Sequence, residues 1–281
     1  MNPFDTFLIQ PILNLLVVFY QILFLVKVPW TLGFAIILLT TVIRFALWPL
    51  TASQLKSSQK MAALKPHLER IKKEHGHDKI RHQQEISNLY KAHGVNPVAG
   101  CLPLLLQIPI FIALYQVLLK IVGFQEADFL AKINNLIYFD SFHLKEIPDT
   151  NFLGFSLAEK PNQWTQIGFA ILLIPIITGL LQYIQSKMLV PAAQKSSPNQ
   201  SKSLQKSQAK TERKEGMEDT MAAMQSQMTM IMPLMIAFFS YGFPVGLSLY
   251  WNTFTAIGIF QQYMISGAGD LNKFLPRKWQ K

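Results

Sequence analysis

The chain alternates between long apolar blocks almost free of charge and shorter segments that hold most of its lysine, arginine and acid. A helix that crosses the roughly 30 Å hydrocarbon layer of a bilayer needs about 20 mainly apolar residues. Four blocks meet that requirement. Residues 32–52 contain one charge, Arg44, 98–123 contain only Lys120, and 164–188 contain only Lys187. The fourth block, 229–266, contains none and is long for a single crossing. Gly242, Pro244 and Gly246 supply turn chemistry inside it, which divides it into spans at 229–244 and 245–266. The pattern predicts an all-α, polytopic membrane protein with a five-span core, since backbone polar groups in lipid must be satisfied within the helix.

The first 31 residues form a separate case. Residues 8–26 are apolar enough to cross, but Pro11, Asn14 and Gln21 interrupt them, and only 27–31 separate them from the next span. No positive leading region and no small-residue cleavage motif mark a removable signal peptide. The segment 1–31 is expected to be an N-terminal helix lying in the membrane interface, with a sixth span as the alternative.

The charged segments differ among themselves. In 53–97, Leu64, Leu68 and Ile71 form one helical stripe, and Ile86, Leu89 and Tyr90 a second. Gly76-His77-Asp78 lies between them, Pro66 sits at the first turn of the first helix, and Asn96-Pro97 stops the second. This predicts a helical hairpin. Residues 124–163 form a connecting loop. Residues 189–228 are a linker, partly disordered because Ser, Gln and Lys dominate much of it. At its end Met217, Met221, Met224 and Met228 make a helical stripe, which either grips apolar partners or rests on the membrane or hairpin. The tail 267–281 is basic and short, and suits either RNA or anionic lipid.

Charge then sets the orientation. Half of the 281 residues are hydrophobic and 15% charged, yet the net charge is +10. With five spans, the lysines and arginines outside Arg44 divide as twenty on one side and five on the other. The positive-inside rule places 53–97, 189–228 and the C-terminus in the cytoplasm and the N-terminus outside. The outer loop carries six of the sixteen acids, consistent with that assignment. A single cysteine, Cys101, excludes an intrachain disulfide and a cysteine-built metal site. Five histidines of the hairpin (His67, His75, His77, His82, His93) lack a paired spacing on one helix and read as solvated surface rather than metal ligands.

Polar groups inside the spans carry the functional signal. Arg44 lies six residues before the end of its apolar run, about 9 Å along a helix. A charge near mid-bilayer costs roughly 3 kcal/mol on insertion scales, so it must meet water, an acid or a phosphate. No span contains Asp or Glu. Thr40 lies one turn away on the same face, and Gln107, Gln182, Gln261 and Gln262 sit at similar depth on other spans. They suggest a polar, hydrated hollow open to the cytoplasm, while the outer halves are apolar apart from Asn252 and neighbouring threonines. The plainer alternative is interhelical amide bonding with Arg44 snorkelling to headgroups. There is no Gly-rich phosphate loop, no carboxylate or histidine relay and no nucleophile with a base in the spans, so no enzyme, cofactor or metal is expected.

Several stretches are recognisable. Thr40-Thr41-Val42-Ile43-Arg44, with Trp48-Pro49-Leu50, resembles the arginine-bearing first core span of the YidC/Oxa/Alb membrane protein insertases. Asn96-Pro97, followed by Cys101-Leu102-Pro103-Leu104-Leu105-Leu106-Gln107-Ile108-Pro109 and Ala113-Leu114-Tyr115, resembles the next span. Ile184-Gln185-Ser186-Lys187-Met188 is similar to the end of the third. Pro244-Val245-Gly246-Leu247-Ser248-Leu249-Tyr250-Trp251, with Gln261-Gln262, is similar to the last. The likeness implies a groove open to the cytoplasm and to lipid but closed outside, with Arg44 as its arginine and 53–97 as a hairpin important for insertion. Candidate groove residues are Arg44, Thr40, Gln107, Gln182, Gln185, Trp251, Asn252 and Gln261.

The implied function is a membrane protein insertase and chaperone without nucleotide hydrolysis. Its implied partners are nascent membrane proteins, the ribosome, the Sec translocon and the lipid bilayer, with neither DNA nor a small-molecule substrate. The implied location is the bacterial inner membrane. A small bacterial member is expected, without a large extracytoplasmic domain, an N-terminal anchor span or lipoprotein cysteine near residue 20, or a long basic tail. The alternative function is a small-anion transporter or channel built on Arg44. It would need a polar outer half and an inverted repeat, and neither is visible.

Overall fold

The computed structural model describes residues 3–95, 102–122, 129–189, 231–269 and 271. Asn96-Pro97, Cys101, most of the 189–228 linker with its methionine stripe, and most of the tail lie outside the described residues. The chain divides into two compact units, Met1–Pro49 with Leu102–Gln182 and Pro233–Gly258, and Leu50–Cys101 with Tyr183–Met232 and Ile259–Lys281.

In the first unit, a π-helical turn, Asp5–Ile9, runs on into α1 (Gln10–Leu25), with Pro11, which has no N–H to donate, just past the junction. Leu13, Leu16, Val17 and Tyr20 recur at helical spacing and are buried, and α1 packs along α2 (Thr31–Ala46). The chain reverses between them through Lys27 and Trp30, both at positive φ (58° and 53°). α2 contributes Leu32, Ala35, Ile36 and Leu39 to the core, and α6 (Leu102–Val122) contributes Ala113, Leu114, Val117 and Leu118.

The polar residues that interrupt α1 are bonded to the 129–144 segment, which begins with α7 (Phe129–Asn134). Asn14 Nδ2 donates to the Leu136 carbonyl at 2.9 Å and its Oδ1 accepts from Tyr138 N at 2.7 Å. Gln21 Nε2 donates to the Phe142 carbonyl at 2.7 Å. Further along, β1 (Asn151–Phe152) pairs antiparallel with β2 (Phe155–Ser156). Leu153 and Gly154 both take positive φ, as a type I′ turn requires. The Phe152 ring lies edge-on to Trp30 and Phe34 and over Gly33, where an added Cβ would collide with it.

Gly168, at φ 115°, separates α8 (Trp164–Ile167) from a 3-10 turn, Phe169–Leu172, that runs on into α9 (Leu173–Leu189). The helix of the 164–188 block thus runs uninterrupted only from Phe169 to Met188. The 229–266 block is two helices, α10 (Ile231–Gly242) and α11 (Val245–Ser266), turning at Pro244. The free N–H groups at the start of α11 are met by the loop before α8: Val245 N donates to the Glu159 carbonyl (2.8 Å) and Gly246 N to the Leu157 carbonyl (2.9 Å). Small residues bring α9 and α10 together, since a Cβ on Gly179 would lie 2.9 Å from that of Ala237. Beside this crossing, the hydroxyls of Thr178, Ser240 and Ser248 form a buried chain with steps of 3.3 and 3.0 Å.

In the second unit, α3 (Trp48–Ala63) is followed by α4 (Lys65–His75) and α5 (Lys79–Ala92). The helix expected across 32–52 breaks at Leu47, because Pro49 has no N–H and its ring clashes with the carbonyl of Phe45. The hairpin turns at Gly76-His77-Asp78, where Asp78 caps α5 by accepting from Ile80 N and Arg81 N at 3.1 Å each. Leu64, Leu68 and His82 are buried in it, and Ile71, Ile86, Leu89 and Tyr90 are half-buried.

Candidate functional site

Arg44 lies in the last turn of α2 and is 7% exposed. Its guanidinium carbon sits 4.0 Å from the centroid of the Phe254 ring, on α11. One turn earlier on α11 is Tyr250, fully buried, with its ring 5.9 Å from that of Phe254. The Tyr250 hydroxyl accepts a 2.7 Å hydrogen bond from Gln107 Nε2 on α6. The next residue, Trp251, donates from Nε1 to Gln182 Oε1 on α9 at 3.3 Å and meets Phe111 edge-on at 5.4 Å. Residues 250–254 of α11 thus receive a polar side chain from each of α2, α6 and α9.

Of the candidate groove residues, the structure brings Arg44, Gln107, Gln182 and Trp251 onto this one stretch of α11. Thr40 is buried one turn from Arg44, and its hydroxyl is spent on the Ile36 carbonyl at 2.6 Å. Thr41 bonds the Ile37 carbonyl in the same way (2.7 Å). Both follow the habit of hydroxyls in spanning helices, which return to the carbonyl four residues back. Asn252 keeps a buried Oδ1 with no hydrogen-bond partner among the described residues. Gln185 and Gln261 belong to the second unit, where Gln185 is half-buried and Gln261 fully buried.

Two members of the cluster escaped the sequence reading. Tyr250 appears there only within a motif, and Phe254 not at all, although its position four residues after Tyr250 puts both on one face. The Thr178, Ser240 and Ser248 chain was also invisible, because isolated hydroxyls in apolar runs give no sign of meeting one another. Among the described residues no group of three His, Cys, Asp or Glu side chains could hold a metal ion. The arrangement sets one fixed positive charge against an aromatic face, beside amides from α6 and α9.

Residues 24–271 match the family described as 60Kd inner membrane protein. The chain belongs to that family. The 60Kd inner membrane protein family is the YidC/Oxa/Alb family of the sequence resemblance, and its member here is an all-α, multi-pass membrane protein. Relatives include proteins named "Membrane protein insertase YidC" from Syntrophobacter fumaroxidans, 31% identical over 93% of this chain, and Rickettsia conorii, 33% identical over 89%. A third, from Pseudoalteromonas atlantica, is 35% identical over 83% of the chain. The chain spans 38%, 38% and 33% of the length of these curated relatives.

Proposed function

We propose that the protein is a membrane protein insertase. In this reading it accepts nascent membrane proteins from the cytoplasmic side and releases their apolar segments into lipid, without hydrolysing nucleotide. The observation that carries it is Arg44, buried over Phe254 at the meeting point of amides from α6 and α9. A buried arginine in an apolar span is expensive, and such residues mark pathways and binding sites. Here the guanidinium lies against the Phe254 ring inside an apolar span, a setting in which the acidic groups of an incoming polar tail are drawn to it. At 4 Å and an effective dielectric constant near 20, such a pair attracts by about 4 kcal/mol before desolvation. A hydrated recess around it shortens the apolar distance that the tail must cross.

The same reading takes 32–52, 98–123, 164–188, 229–244 and 245–266 as five spans with the hairpin and C-terminus in the cytoplasm, and the ribosome and Sec translocon as partners. Closure on the outer side is supported by the loop carbonyls of Leu157 and Glu159 over the start of α11. The interfacial placement of α1 is supported by Asn14 and Gln21. They lie about 10 Å apart along the helix, yet both bond the 129–144 segment. A helix crossing steeply would meet that outer segment at one end only. α1 is nevertheless long and apolar enough to cross.

The test is insertion of a short-tailed membrane protein by the purified chain in liposomes, read by protease protection without nucleotide. Protection well above that of empty liposomes supports the reading. Equal protection in the two removes it.

A further inference from the structure

We infer that the turn between α1 and α2 is a binding site for an anionic phospholipid, with Lys27 meeting the phosphate and the apolar cleft beside it holding an acyl chain.

The backbone of this turn is strained. α1 ends in a Schellman motif: Lys27 N donates to the Phe24 carbonyl at 3.0 Å and Val28 N to the Leu23 carbonyl at 3.1 Å. The motif requires a left-handed residue at 27 (φ 58°), where glycine is the usual occupant because a Cβ crowds the following carbonyl. Trp30, at the start of α2, takes the same conformation (φ 53°). One turn thus carries two long side chains where the backbone favours none. Strain of this kind gathers at binding sites. Lys27 is exposed and, among the described residues, makes no ion pair, so the fold itself gives no reason for a lysine there. Trp30 is held edge-on to Phe152, with ring centroids 6.3 Å apart.

Phe24, Leu25, Lys27, Val28 and Thr31 line an open cleft of about 410 Å³, within the size range of small-molecule sites. Lys27 is the one charged side chain among them. The Thr31 hydroxyl donates to the Val28 carbonyl at 2.7 Å, which leaves the wall largely apolar. Leu25 and its neighbour Val26 are 78% and 71% exposed.

An ammonium on an apolar cleft is complementary to a ligand with one anionic group and a long apolar body. Lysine meets phosphate as a point charge on a flexible stem, and that stem can itself lie along apolar surface. The bilayer supplies such a ligand at the right level. α1 is long and apolar enough to cross, and whether it crosses or lies flat its last turn meets the headgroups, where tryptophan and lysine are customary anchors.

The test places full-length protein in vesicles of phosphatidylcholine with a minor share of phosphatidylglycerol, and adds an equal trace of either lipid carrying a photoreactive diazirine on its acyl chain. The readout is the ratio of phosphatidylglycerol to phosphatidylcholine label on peptic peptides covering residues 24–31. In the parent that ratio should exceed the ratios around Lys120 and Lys187, near the ends of α6 and α9. Lys27→Gln should lower it about fivefold and Lys27→Arg leave it within about twofold, as expected for one cationic side chain near anionic lipid. Lys27→Gly also removes the charge but suits the left-handed backbone, so it should fold as the parent does and lose the same selectivity. Because a ratio is read, a general change in labelling cancels. If the parent ratio at 24–31 matches that at the two reference lysines, Lys27 attracts anionic lipid only as any surface lysine does, and the site is overturned. If Lys27→Gly keeps the parent ratio, Lys27 does not hold the phosphate and the inference likewise fails.

Discussion

Gln107 Nε2 donates a 2.7 Å hydrogen bond to the Tyr250 hydroxyl, a buried tie between α6 and α11 across 143 positions of sequence. Deleting one partner leaves the other without its bond in an apolar setting. Interhelical bonds of this kind contribute about 0.6–2 kcal/mol in membrane proteins. Tyr250→Phe and Gln107→Leu should each lower the melting temperature in detergent. The double variant should lose less than the sum of the two, since it orphans no group. Strictly additive losses would mean that the two side chains stabilise the fold independently.

Much of the fold was legible because its signals are local. Gly76-His77-Asp78 marks the hairpin turn, Pro66 the start of α4, and Pro244 the turn between α10 and α11, each through backbone chemistry that needs no partner. Arg44 stood out because a charge within an apolar run must meet water, an acid or a phosphate. The break at Leu47 was missed because the apolar pattern continues through Trp48-Pro49-Leu50. The late start at Phe169 was missed because Gly168 is common enough in spans to pass as interior. Tyr250 and Phe254 could not be assigned to Arg44 from sequence. Their partners sit on other helices, and an aromatic residue in an apolar helix is ordinarily packing.

The N-terminal helix gives a topological prediction. If α1 lies in the outer interface, cysteines at Asp5 and Lys27, in a chain with Cys101 replaced by Ala, should both react with an impermeant thiol reagent added to intact cells. Reaction at Lys27 alone would make α1 a spanning helix.

Orientation of the spans is checked in the same background. A cysteine at Ser141, exposed in the loop after α7, should be labelled from outside. One at Ser57, in α3, should be labelled only after the membrane is opened. The reverse result would invert the orientation inferred from the charge asymmetry.

In the hairpin, removal of the α5 cap by Asp78→Ala should cost about 1 kcal/mol locally and speed amide exchange in the first turn about fivefold. Exchange in the spans should not change. Acid acts on the same element through Glu74. A 2.8 Å hydrogen bond from Arg70 Nε, and then the Arg70 charge, hold this carboxyl below the ordinary range. A depressed carboxylate contributes stability above its unfolded pKa and loses it as pH falls, so protection of α4 should be flat from about pH 6 to 8 and decline below about pH 4. Glu74→Gln should remove the contribution of this group to that decline, and an unchanged decline would exclude it.

The central claim is that Arg44 serves substrate rather than the fold. Removing a charge buried in an apolar span relieves its desolvation penalty, so Arg44→Ala should melt no earlier than the parent. Its insertion of acidic-tailed substrates should nonetheless collapse, and Arg44→Lys should retain most of it because charge matters more than shape. The decisive measurement takes detergent melting and liposome insertion from the same preparations of parent, Arg44→Ala and Arg44→Lys. Unchanged melting with lost insertion in Arg44→Ala is the predicted result. A markedly lower melting temperature together with normal insertion of acidic-tailed substrate would make Arg44 a structural residue and contradict the electrostatic mechanism.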